Sequence, residues 1–91
     1  MAKKAWKLIY SFDYGSGEAY WNKEMSVCCL VIPVANYDCG DDKPESMEAK
    51  VCDNFTAGIE WARVRLPEMY DAYKQWKEKQ PDPLAAWKAK L

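Results

Sequence analysis

Ninety-one residues, 49% of them hydrophobic and 30% charged, leave room for one domain with one core and exclude a disordered chain. The net charge of −1 argues against the basic footprint of a nucleic-acid binder, and the absence of histidine removes the commonest general base and metal ligand near neutral pH. The charge is uneven: three lysines and no acid in residues 1–10, ten acids against three lysines in 11–60, and seven bases against four acids in 61–91. That pattern bears on partners and solubility, not on fold.

The opening residues Met1-Ala-Lys-Lys-Ala-Trp hold no uninterrupted apolar stretch, so a secretion signal is not expected. On that reading the protein is cytoplasmic, and Cys28, Cys29, Cys39 and Cys52 are reduced thiols. Residues 5–14 then alternate. Trp6, Leu8, Tyr10, Phe12 and Tyr14 share a period of two and are expected to form the core face of a strand, with Ile9 the apolar exception opposite. Gly15-Ser-Gly17 reads as a hairpin turn, Glu18–Trp21 as resumed strand and Asn22-Lys23 as a second turn.

Met25 to Val34 is apolar on both faces of a strand and therefore wants cover on both sides. Its longest apolar run, Val27 to Ala35, is far shorter than the roughly 20 residues a bilayer span needs, so no membrane helix is expected. Pro33 marks an edge, a bulge or the end of that strand. Asn36 to Lys43 is a loop, and Pro44 with Glu45 and Glu48 suits the first turn of a helix. Met47, Val51, Phe55, Ile59 and Ala62 recur about every four residues, which favours helix, broken near Asp53–Thr56; residues 55–66 also fit a strand. Pro67 opens a further helix with Met69, Tyr73 and Trp76 on its apolar face, and Gln80-Pro-Asp-Pro ends it. Leu84, Trp87 and Leu91 make a last short amphipathic turn. The expected fold is α+β: one domain over 1–91, with an antiparallel hairpin or three-stranded meander in the N-terminal half packed by two to three helices in the C-terminal half.

No spacing carries a cofactor or metal. Cys28 and Cys29, then Cys39 and Cys52, miss the C-x₂₋₄-C pairs of zinc sites, and adjacent cysteines in a strand point to opposite faces. Gly15-Ser-Gly17 lacks the third glycine and the helix of a dinucleotide loop. Asp38, Asp41, Asp42, Glu45 and Glu48 crowd one loop and helix start, but not at the alternate positions a calcium loop requires. Lys3-Lys4-Ala-Trp6-Lys7 interleaves bases with an aromatic, yet the aromatics are needed for the core, so direct nucleic-acid binding is not expected.

By elimination the sequence points to a small non-enzymatic accessory or regulatory protein that binds another protein. That class includes a phage- or mobile-element-encoded inhibitor presenting an acidic patch to a nucleic-acid-binding host machine. The candidate partner surface is Asp38, Asp41, Asp42, Glu45 and Glu48, with the apolar Leu84 and Trp87 beyond them. The alternatives are a self-associating assembly subunit, a homodimer that covers the second apolar strand face or pairs an exposed strand edge, and, behind it, a minimal enzyme.

Overall fold

The computed structural model describes residues 5–38 and 40–80. Four strands, β1 (Trp6–Phe12), β2 (Gly17–Asn22), β3 (Val27–Val31) and β4 (Met47–Val51), form one antiparallel meander in the order β1-β2-β3-β4. A single-turn helix α1 (Pro33–Asn36) leads out of β3, and a 24-residue helix α2 (Phe55–Glu78) follows β4. The fold is α+β as expected, with four strands where two or three were expected and two helices, one of them a single turn.

Both hairpin turns follow from local chemistry. The four residues between Phe12 and Gly17 reverse the chain through positive φ at Asp13 (50°), Tyr14 (57°) and Gly15 (95°), a conformation that glycine and Asp adopt more readily than tyrosine. Ser16 closes this turn by donating its N–H to the Asp13 carbonyl at 3.2 Å. In the second turn the Asn22 side-chain carbonyl accepts the Met25 N–H at 3.0 Å.

Helix α2 lies across β2, flanked by β1 and β3. Its buried residues Gly58, Ala62, Leu66, Met69, Tyr73 and Trp76 recur at intervals of three and four and form one stripe. Opposite them sit Ala19, Cys28, Leu30 and Ile32, all without exposed surface. Gly58 permits the close approach: a Cβ there would stand 3.1 Å from both the Cβ and the Sγ of Cys28.

Three expectations are corrected. Residues 47–51 form strand β4, not the start of a helix: Met47, Ala49 and Val51 alternate with Glu48 and Lys50, and the latter two face α2. The favoured reading of residues 55–66 as helix, with a break near Asp53–Thr56, holds: α2 begins at Phe55, capped by Asn54, whose side chain accepts the Ala57 N–H at 2.9 Å. Pro67 does not open a new helix but sits inside α2. It removes one intrahelical hydrogen bond, that to the carbonyl of exposed Arg63, and the buried stripe continues through it from Ala62 and Leu66 to Met69.

The third correction concerns β1. Its pairing with β2 shifts between Leu8 and Tyr10, a bulge that inserts Ile9. A one-residue shift moves every later side chain to the other face. Tyr10 and Phe12 therefore pair with Ala19 and Gly17 on the helix side and pack against the core together with Ile9. Trp6 and Leu8 fall on the opposite side and are exposed, and Tyr14 projects from the turn.

Candidate functional site

The side of the sheet away from α2 is a grid set by register. One row reads Trp6, Asn22, Val27, Val51 across the four strands; the middle row reads Leu8, Tyr20, Cys29, Ala49; the third reads Ser11, Glu18, Val31, Met47. Nine of the twelve are apolar or aromatic, and Glu18 is the one formal charge. Helix α2 packs on the other side, and exposure across the grid is graded: Trp6 is 38%, Leu8 48%, Met47 53% and Val51 74% exposed on the edge strands, Tyr20, Val27, Cys29 and Val31 are partly buried, and Asn22 alone is buried. The Tyr20 hydroxyl donates to Glu18 Oε1 at 3.0 Å, and partial burial followed by that bond raises its pKa, so the ring stays neutral. Burial raises the Cys29 thiol as well, so it is not an activated nucleophile.

The acidic cluster does not survive as a cluster. Asp38 accepts a hydrogen bond from the Tyr73 hydroxyl and pairs with Lys77 at 3.2 Å. Those two contacts, the Tyr73 bond first, hold its carboxyl below the usual range, and the same bond pushes Tyr73 up to about 12. Glu48, on β4, pairs with Arg65 at 2.8 Å and joins the edge strand to α2. The backbone carbonyl of Asp41 accepts the Trp76 indole N–H at 2.9 Å, and Gly40 lets the loop close on that ring, since a Cβ there would meet Trp76 at 2.7 Å. Lys43 spends its ammonium on the carbonyls of Ala35 and Asp38, at 2.7 and 2.9 Å. The loop is thus fastened to α1 and to the C-terminal half of α2, and only the carboxylates of Asp41, Asp42 and Glu45 project as exposed acids. Leu84 and Trp87 lie outside the described residues.

Cys28 and Cys29 do point to opposite faces, Cys28 towards Gly58 and Cys29 onto the open grid. Cys28, Cys29 and Cys52 are free thiols, and burial, with lesser contributions from Cys52 and Cys29, pushes Cys28 up to about 11. Among the described residues no three His, Cys, Asp or Glu side chains come together as a donor set for a metal ion, and no helix is long and apolar enough to cross a membrane. Sequence reasoning found the two-faced apolar character of β3. It missed β4 and the bulge, which extend the open face to both sheet edges; the alternation of Met47, Ala49 and Val51 was the available signal. Compared with known proteins, the chain matches no family model, no curated protein and no solved structure.

Proposed function

We propose that the chain is a small non-catalytic accessory protein that works by holding another protein against the open face of its sheet. One observation carries this reading: a twelve-residue sheet face, nine-twelfths apolar and carrying a single charge, on the side of the sheet away from α2. Interface cores are depleted in charge and enriched in aromatics and methionine, and this face shows both in a chain that is 30% charged overall. Catalysis calls instead for shifted titratable groups converging on a cleft. Here Asp38 and Tyr73 answer one another in a bond that fastens a loop, and the shifted thiols move away from reactivity. The free thiols suit a reducing, cytoplasmic setting.

A second reading keeps the acidic loop as the contact surface, an inhibitor that offers Asp41, Asp42 and Glu45 to a basic partner; the exposure of all three favours it. The test compares two variants of the tagged full chain in co-purification. Val31→Lys with Met47→Lys should abolish association, whereas Asp41→Asn, Asp42→Asn and Glu45→Gln together should leave it intact. The reverse pattern replaces the sheet face with the acidic loop.

A further inference from the structure

We infer that the occupant of the open face is a second copy of this chain, packed sheet to sheet with β1 of one copy over β4 of the other. The inference rests on the binding role proposed for that face and names its partner.

The middle row of the grid is graded in size, from Leu8 and Tyr20 on one half of the sheet to Cys29 and Ala49 on the other. Homodimers close by a two-fold axis, and the axis direction decides which side chains meet. An axis across the strands would stack Leu8 on Leu8 and Ala49 on Ala49, a collision beside a gap. An axis parallel to the strands, midway between β2 and β3, sets Leu8 against Ala49 and Tyr20 against Cys29. Large then meets small across the whole row, as interdigitating sheets about 10 Å apart require. The same rotation sets Ser11 against Met47, again small against large, and keeps each Glu18 off its symmetry mate. Glu18 sits in an end row with one oxygen already bonded to Tyr20, so its carboxylate can stay at the rim.

The area fits a reversible dimer. Four strands about 4.8 Å apart and three rows about 6.8 Å apart give each copy roughly 400 Å² of flat footprint. Two corrugated faces then bury about 1,000 Å², at the threshold of a specific interface. A heterologous partner of acidic or basic character would find one charge on the face to recognise. A second copy needs none.

The test is sedimentation of the full chain from low to high micromolar concentration, with melting curves on the dilute samples to confirm the fold. Wild type should pass from the 10.5 kDa monomer to twice that mass. Ala49→Leu should weaken association by about tenfold or more, because the added volume meets Leu8 of the second copy. Adding Leu8→Ala should restore most of the loss. A dimer indifferent to Ala49→Leu, or one that Leu8→Ala fails to rescue, overturns the packing. A wild-type monomer throughout overturns the inference; if a different protein then binds and Ala49→Leu releases it, the proposed function stands without the second copy. If nothing binds the face at all, both fall.

Discussion

Cys28 and Cys29 are neighbours in β3, yet the first has no exposed surface and packs beneath Gly58 of α2, while the second lies partly buried in an apolar grid. The covered face of the sheet mixes sizes and is closed by a helical stripe: Gly17 meets Leu66, and Cys28 meets Gly58. The open face is just as apolar across β3 and lies away from α2. A strand buried on one side alternates apolar with polar, and β3, apolar on both sides, has one of its faces packed by α2 among the described residues. Packing against α2 accounts for the composition of one face and not for that of the other.

The comparison breaks most visibly with core truncation. Leu66→Ala should destabilise the monomer by about 2–5 kcal/mol, since Leu66 is fully enclosed against Ile32 and Gly17, whereas Leu8→Ala at dilution should cost less than about 1 kcal/mol. Paired denaturant titrations at low micromolar concentration check this; equal losses would mean the two faces are equally covered.

A smaller effect sharpens how the acidic loop is held. Asp38 has a lowered pKa in the fold, so its contribution is complete above the ordinary carboxylate range and is lost as pH falls through the folded value. Tyr73 has a raised pKa, so its contribution is complete below its ordinary value near 10 and is lost as pH rises through about 12. Tyr73→Phe should flatten the alkaline limb of a stability–pH profile and weaken the acid limb. Unchanged limbs would show that the Asp38–Tyr73 bond does not fasten the loop.

The smallest effect lies at the sheet edge. Arg65 and Glu48 are each about one-third exposed, so Arg65→Met should cost less than about 1 kcal/mol, and the cost should shrink with added salt. A larger, salt-independent loss would mean that β4 depends on α2 far more than the open face does.

Much of this was legible from the residues, and the failures have physical causes. Gly15-Ser-Gly17 announced the first hairpin, though Tyr14 belongs to the turn and not to the strand, and the two apolar faces of β3 announced a surface needing cover. Alternation in β1 misled because Ile9 forms a bulge, and a bulge depends on pairing with β2 that the strand's own residues do not encode. Residues 47 and 51 are four apart, a spacing that marks a helical stripe and equally the second neighbour on one strand face; Glu48 and Lys50, facing α2, hid the alternation. Pro67 looked like a helix start because its local cost is real, but the buried stripe on either side outweighs it. The acidic cluster was visible as composition, while its partners Tyr73, Lys77 and Arg65 come from a helix seventeen to thirty-nine residues away.

The most direct test of the two-face account is alkylation of the native protein followed by peptide-resolved mass spectrometry, at low and at high concentration. Cys29 should react in dilute solution and become protected as concentration rises, while Cys28 stays unreactive until the protein unfolds. Equal labelling of Cys28 and Cys29 in the native state, or a Cys29 labelling rate independent of concentration, would contradict it.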